Sequence, residues 1–374
     1  MRISLVGPVY PYRGGIAQFT TQLGQKLVEN GDIVQAVSFS RQYPAWLYPG
    51  KTDKDPSQEH AFIEAQYLLD PLYPWTWLRA AREIKKWQPE LVLIQWWTTF
   101  WGPALWSLGK LLRSHRLPLA FVIHNVIPHE ARFFDRFVVK STLSNACGCV
   151  TLSPQEEQRL ADLLPSMPQF HGRLPIGGIP QVHLAKEEAR RQLNLNTSEP
   201  VLLFFGIVRP YKGLAVLIDA LGRLHMTGCK PHLLVAGEFW EDETAYRDRI
   251  QKLDLNSQIH IDNRFIPNEE VGVYFSAADL FVAPYVGGSQ SAAIKAAMDF
   301  GLPVLASERI ASDLNGETYP VFIHPTGDDA ALADTIQQAI QSGQRMQPSP
   351  AGSDGWAELI QAIQAVRDRC NSLK

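Results

Sequence analysis

The stretch PVLLFFGIVRPYKGLAVLIDAL, residues 200–221, most constrains what this chain can fold into. Val201 to Phe205 is an unbroken apolar run, the pattern of a strand buried on both faces of a sheet. Gly206 ends the run, and Leu214, Leu217, Ile218 and Leu221 then recur at helical spacing. A strand, loop and helix in succession place the loop at the carboxyl end of a sheet, where open α/β folds bind ligands. That loop carries Arg209 and Lys212, with Gly213 beside them. A guanidinium fork next to an ammonium suits a polyanion such as phosphate. The competing reading is a surface turn with two solvated cations.

The same alternation runs through the chain. Strands are expected at 3–7, 33–39, 91–94, 119–123 and 149–152, and later at 201–205, 232–236, 258–261, 280–283 and 303–306. Amphipathic helices fall between them, one with Ile16, Phe19, Leu23 and Leu27 on a face, another over 75–87. Residues 40–60 read as a polar, proline-containing loop. Alternation of this kind builds parallel sheets wrapped by helices. At 374 residues the chain exceeds one ordinary core, so two domains are expected. The segment HGRLPIGGIP, 171–180, fits a hinge between them. From Asp354 onward Trp356, Leu359, Ile360, Ile363 and Val366 share a face, which predicts a docked terminal helix.

Charge bears on partners. The net charge of -3 excludes a generally basic nucleic-acid binder. The distribution is uneven: residues 1–180 hold 18 Lys and Arg against 14 Asp and Glu, the remainder 17 against 24. The first half therefore suits an anionic partner. Four cysteines, with only Cys147 and Cys149 close in sequence, complete no zinc site and read as free thiols in a reducing compartment. Met1-Arg2 leads straight into ISLVG, too short for a signal-peptide core. Residues 91–109 carry no charge and are long enough to span a bilayer, but Gln95, Thr98, Thr99 and Gly102-Pro103 argue for strand, loop and helix. Asp53-Lys54-Asp55 has the spacing of a metal-binding carboxylate pair, yet no strand precedes it, and it reads as a solvated charge cluster.

Other candidate site residues lie where expected strands end. Gly14 and Gly15 open the first long helix, where glycines let a ligand approach the backbone and the helix N-terminus favours anions. His124 ends a strand in HNVIPHE, with His129 and Glu130 nearby. Eight of the ten tryptophans fall between Trp46 and Trp106, and most of these should fill cores. Trp97 and Trp101, beside Trp96, follow a strand's carboxyl end and could stack on a sugar.

The ordered segments GGIAQFTTQL, HNV, GIVRPYKG, VAGE at 235–238 and AADLFVAPY to GLPV at 277–304 resemble the large group-one family of retaining glycosyltransferases with the GT-B fold. The resemblance covers nearly the whole chain. It implies two Rossmann-like α/β domains facing across a cleft: 1–174 for the acceptor, 175–352 for the nucleotide sugar, and a terminal helix, 353–374, crossing back to the first. It implies that Arg209 and Lys212 grip the donor diphosphate, that Gly15 approaches the phosphates, and that His124 touches the transferred sugar. Gly206 and the segment Ser289, Gln290 and Ser291, ahead of a helix ending near Phe300, would supply further donor contacts.

One departure matters. The family carries two glutamates eight positions apart, and their places here are Gly288 and Ala296. Gln290, Ser291 and Lys295 are the candidate replacements. The expected activity is metal-independent transfer of a hexosyl-type sugar to a glycan or lipid-linked acceptor in surface polysaccharide or glycolipid synthesis. No cofactor is expected beyond the nucleotide sugar. Cytoplasmic placement is expected, with an anionic membrane surface as a further candidate partner. A catalytically silent nucleotide- or glycan-binding protein is the alternative, and a sugar-nucleotide epimerase a more distant one.

Overall fold

The computed structural model describes residues 1–374 apart from 59, 129–132, 176–181, 196–197, 289, 312–313, 315–318, 320, 344–354 and 373–374. Half of the expected hinge, 176–180, together with His129, Glu130, Arg132, Ser289 and Asp354, thus lies outside the described residues. The chain divides into two compact units, one of Met1–Asp55, His60–Gly178 and Asp354–Lys374, the other of Pro56–Glu59 and Ile179–Ser353.

In the first unit the order is β1 (Arg2–Val6), α1 (Gly15–Glu29), β2 (Ile33–Phe39), β3 (Ala65–Leu69), α2 (Pro74–Trp87), β4 (Leu91–Trp96), α3 (Gly102–Ser114), β5 (Leu119–Ile123), α4 (Asp135–Leu143), β6 (Gly148–Thr151), α5 (Pro154–Leu163) and β7 (Gln169–His171). These strands form one sheet in the order β3-β2-β1-β4-β5-β6-β7, every pair parallel. The uncharged run 91–109 is resolved into β4, a short 3-10 turn at Thr99–Trp101 and the start of α3. No described helix is long and apolar enough to cross a membrane.

Helices α2 to α5 cover one face of this sheet, through Ile84, Leu108, Val139 and Leu160 among others. Gly102 and Gly109 let α3 run close beside α4, because a Cβ on either would press on Val138 or Asn145. Helix α1 covers the other face with Phe19, Leu23 and Leu27.

In the second unit the order is α6 (Lys186–Gln192), β8 (Val201–Phe205), α7 (Leu214–Met226), β9 (His232–Ala236), α8 (Thr244–Lys252), β10 (Ile259–Asp262), α9 (Asn268–Ala277), β11 (Leu280–Ala283), α10 (Ala292–Asp299), β12 (Val304–Ser307), α11 (Glu308–Ala311), β13 (Val321–His324) and α12 (Asp329–Ser342). The sheet runs β10-β9-β8-β11-β12-β13, again all parallel. Asp279 anchors α6 to the start of β8: it pairs with Lys186 and Arg190 and accepts from the Val201 amide at 2.8 Å. A piece of the loop read at 40–60 belongs here, since Ser57 Oγ accepts from the Asn268 amide at 2.9 Å.

The last helix, α13 (Gly355–Asn371), lies on the α1 side of the first sheet. Leu359, Ile363 and Val366 are fully buried, and Trp356 stacks near Phe19 with centroids 5.8 Å apart. Cys370 on this helix forms a disulfide with Cys147, across a sequence separation of 223. The four cysteines are therefore not all free, and the thiol argument for a reducing compartment falls; only docking of α13 brings this pair together. Free Cys149 is fully buried in β6.

The Asp53-Lys54-Asp55 segment is a strap rather than a solvated cluster. The Asp53 carbonyl accepts from the Arg13 amide at 3.0 Å, the Asp55 amide donates to the Pro11 carbonyl at 2.8 Å, and Lys54 Nζ lies 3.4 Å from the Tyr12 ring centroid.

Candidate functional site

Strand order reverses between β1 and β4 in the first sheet and between β8 and β11 in the second. At such a switch point the loops leave in opposite directions and open a crevice at the carboxyl edge. The sequence-predicted residues gather at these two edges.

At the first edge the backbone approaches closely. A Cβ on Gly7 would lie 2.5 Å from Gln95 Cγ. The following loop enters α1 through Gly14, whose φ of 103° suits glycine. A Cβ on Gly14 or Gly15 would meet nothing within 4 Å. No side chain caps α1 and its first turn holds no acid, so its amides and dipole remain suited to an anion.

His124 is 5% exposed, and burial pushes it from 6.5 to about 3, so the ring is neutral. Its Nε2 lies 2.7 Å from Gln95 Oε1, and Phe19 meets the ring edge-on. Gln95 is fully buried, and its amide nitrogen has no hydrogen-bond partner among the described residues. If Gln95 Oε1 accepts from the His124 Nε2 proton, Nδ1 is left as an acceptor. The loop after His124 is held from below, because the Val126 amide donates to Glu156 Oε2 at 2.5 Å. Glu156 is itself buried, pairs with Arg159 and sits in the first turn of α5.

The two tryptophans separate. Trp97 is half-buried, with Nε1 donating to Tyr43 Oη at 3.0 Å, and keeps part of its surface open. Trp101 is fully buried in the core against Phe39, so it cannot stack on a sugar.

At the second edge the loop after β8 carries Arg209, then a 3-10 turn at Pro210–Lys212, then Gly213. Gly213 has a φ of 73°, and a Cβ there would fall 2.0 Å from the Pro284 carbonyl oxygen. The loops after β8 and β11 are therefore in backbone contact. The Tyr211 carbonyl also accepts from the amides of Val286 at 2.8 Å and Gly287 at 3.1 Å.

Lys212 turns back toward the end of β8: a Cβ on Gly206 would lie 3.0 Å from its Nζ, which sits 5.5 Å from the Tyr285 ring centroid. Burial, with Arg209 adding to it, lowers the Lys212 pKa from 10.5, and Tyr211 acts the other way. Its ammonium makes no hydrogen bond or ion pair among the described residues. The Arg209 guanidinium lies near two rings, 5.9 Å from the Tyr211 centroid and 5.8 Å from that of Trp240. Trp240 is held by Glu238, which accepts from its Nε1 at 2.9 Å and is 5% exposed.

Ser291 caps α10, accepting from the Ile294 amide at 3.3 Å and lying 3.1 Å from Tyr285 Oη. Gln290 Nε2 is buried without a partner among the described residues. Lys295 is 2% exposed on α10. Ala296 is buried in the core, and Gly288 has a φ of 98° that a glutamate would not adopt without strain. The two missing carboxylates thus correspond to a packed wall and a left-handed turn.

The sequence reading passed over Gln95, Glu156 and Tyr285 as site residues. Gln95 carried a signal, being a polar residue inside an otherwise apolar buried strand; the roles of Glu156 and Tyr285 depend on tertiary contacts.

Two family models match the chain: a glycosyl transferase 4-like domain over residues 14–169 and glycosyl transferases group 1 over 199–342. Among curated proteins the chain is 25% identical over 289 residues to TuaC of Bacillus subtilis, named as a teichuronic acid biosynthesis glycosyltransferase; the match takes in 73% of this chain and 66% of that protein. Among solved structures it is similar to sucrose-phosphate synthase from Thermosynechococcus elongatus, with TM-score 0.67, 22% identity and coverage of 100% and 98%. It is also similar to Anabaena HepE in complex with UDP, with TM-score 0.69, 16% identity and coverage of 100% and 99%. These likenesses give the two Rossmann-like units the GT-B fold.

Proposed function

This chain belongs to the group 1 glycosyltransferases, and from that premise we propose that it moves a sugar, with retention, from a nucleotide diphosphate to a glycan or lipid-linked acceptor in surface polysaccharide or glycolipid synthesis. The observation that carries this reading is the pair Arg209 and Lys212 at the β8/β11 switch point, with the Lys212 ammonium unpaired among the described residues. In the proposed step the bond from the anomeric carbon to the diphosphate breaks and its electrons leave on the nucleoside diphosphate. The acceptor oxygen bonds the same face of that carbon, and its proton passes to the leaving phosphate. Arg209, Lys212 and the amide end of α10 stabilise the charge that develops there, without a metal. Gln290 and Ser291 orient the donor, and Gly206 leaves room for the Lys212 ammonium. In the first unit, taken by itself, the amides at Gly14 and Gly15 suit an anion, neutral His124 suits a hydroxyl, and Trp97 offers an aromatic edge to a sugar.

Nucleoside diphosphates titrated calorimetrically into wild type, Arg209→Ala and Lys212→Ala test the donor site. Each variant should lose roughly 1.5–3 kcal/mol, the worth of a hydrogen bond to a charged group. Unchanged affinity in both overturns the assignment. The alternative, a silent nucleotide-binding protein, is favoured by one observation: Gly288 and Ala296 leave no carboxylate where the family's pair would stand. Donor hydrolysis in excess chelator separates the readings. Turnover there supports metal-independent transfer; turnover restored only by a divalent ion overturns the metal-free step; binding without turnover in any ion leaves the silent protein.

A further inference from the structure

We infer that the outer surface of α2, α3 and α4 is a docking face for an anionic lipid bilayer. This deepens the lipid-linked acceptor reading above. The three helices lie side by side on one face of the first sheet. Their outward sides expose large aromatic groups: Phe133 is 95% exposed, Phe137 74% and Trp75 64%, with Trp106 and Phe134 also exposed. Soluble surfaces expose such residues singly; here they recur at one level of adjacent helices.

That level is the N-terminal end of each helix. Trp75 lies in the first turn of α2, Trp106 in the second turn of α3, and Phe133, Phe134 and Phe137 at the start of α4. In a parallel sheet each crossover helix begins near the carboxyl edge of the strand before it. The aromatic band therefore borders the edge that carries Trp97 and His124.

Cations lie along the same helices, Arg136 beside the aromatic band and the others further on. Arg82 and Lys86 on α2, Lys110 and Arg113 on α3, and Arg136 and Lys140 on α4 are all exposed. None forms an ion pair among the described residues, although Lys110 Nζ lies 5.8 Å from the Trp106 ring centroid. On other exposed helices several cations are paired, as in Lys26–Glu29, Arg247–Glu243 and Arg249–Asp219. Acids on these three helices are Glu83 and Asp135, and Asp135 is buried and bonded to Thr99. A band of aromatics backed by unpaired cations complements a bilayer: rings enter the interface and ammonium and guanidinium groups meet anionic headgroups. A soluble polyanion would use the cations and leave the rings idle.

Co-sedimentation with phosphatidylcholine vesicles, with and without phosphatidylglycerol, tests the face. Binding should require the anionic lipid and fall with added salt. Lys110→Glu with Lys140→Glu should weaken it by about tenfold or more, and Phe133→Ser with Phe137→Ser by a similar factor. Arg247→Glu with Lys252→Glu, the same charge change on α8 of the second unit, should leave it unaltered. Protein that stays in the supernatant with anionic vesicles at low salt overturns the proposal. So does binding that survives the phenylalanine changes, which would mean attraction to any polyanion, or binding that the α8 pair weakens equally. Nucleoside diphosphate titration of the same variants separates the two readings. Loss of vesicle binding with nucleotide affinity intact speaks to this surface alone, and failure of nucleotide binding in wild type speaks to the transfer reaction alone.

Discussion

At the switch point of the first sheet the carboxyl edge holds a buried neutral histidine, a buried glutamine and an open glycine pair leading into α1. At the corresponding point of the second sheet it holds two cations, packed rings and a glycine pressed against a neighbouring carbonyl. The two sheets share parallel pairing and a central reversal of strand order, so topology does not account for the difference. It comes from the residues in the loops after β1, β4 and β5 in one unit and after β8, β9 and β11 in the other. One edge offers a neutral ring, a buried amide and the amide end of a helix. The other offers side-chain cations. The same fold element thus supplies two edges of different chemistry.

The sharpest contrast between the edges is steric. Gly213→Ala would combine a left-handed backbone with a Cβ 2.0 Å from the Pro284 carbonyl, whereas Gly14→Ala would meet nothing within 4 Å. The first should cost on the order of 4 kcal/mol, because the loop after β11 must move; the second should cost only backbone strain of about 1–3 kcal/mol. Denaturant unfolding followed by tryptophan fluorescence reads both. Equal losses would mean that the β8 and β11 loops are not in the contact described.

The next contrast is electrostatic. His124 folds with its pKa lowered from 6.5 to about 3 by burial. Between those values the unfolded chain binds the proton and the folded chain does not, so stability is complete above about 6.5 and declines as pH falls toward 3. The decline reaches up to about 3 kcal/mol near pH 4. In His124→Gln this part of the acid sensitivity should vanish, with each protein compared against its own stability at neutral pH. A variant as acid-sensitive as wild type would show that the ring is not a neutral buried group.

What could be read from sequence follows the same physics. The strands flanked on both sides, such as Ile33–Phe39, Leu119–Ile123, Val201–Phe205 and His232–Ala236, announced themselves as apolar runs, and their ranges match the sequence reading. The strands passed over, β3, β7 and β13, are all sheet edges, with half-exposed sequences such as AQYLL and QFH that carry no continuous apolar signal. Arg209 and Lys212 were legible because a short loop between two strongly patterned elements fixes its own place. Trp101 was misplaced because a tryptophan near a strand end reads the same whether it faces a ligand or the core. The Cys147–Cys370 disulfide joins segments 223 residues apart, and no spacing rule reaches that far. Gln95 stood in plain view inside β4, but its pairing with His124 required the register of β4 on β5.

The smallest expected effect turns on Lys212 and on charge alone. Burial lowers its pKa below 10.5, and the nearby Arg209 lowers it further. A bound diphosphate would favour the charged ammonium and raise the pKa again, so binding takes up protons wherever the free lysine has lost its own. Affinity for a nucleoside diphosphate should therefore be full below the free-protein pKa and fall as pH rises through it. The loss should approach about tenfold, the worth of one charge-assisted contact at a partly solvated site. Lys212→Arg should flatten the alkaline fall while keeping a cation in place, although its planar fork need not reproduce the lysine's contacts. His124→Gln should leave the alkaline profile unchanged, because that histidine is neutral on both sides of the window. Calorimetric titrations at a series of alkaline pH values decide the matter. An alkaline fall that persists in Lys212→Arg would place the titrating group elsewhere on the second edge, and a fall removed by His124→Gln would erase the contrast in charge between the two edges.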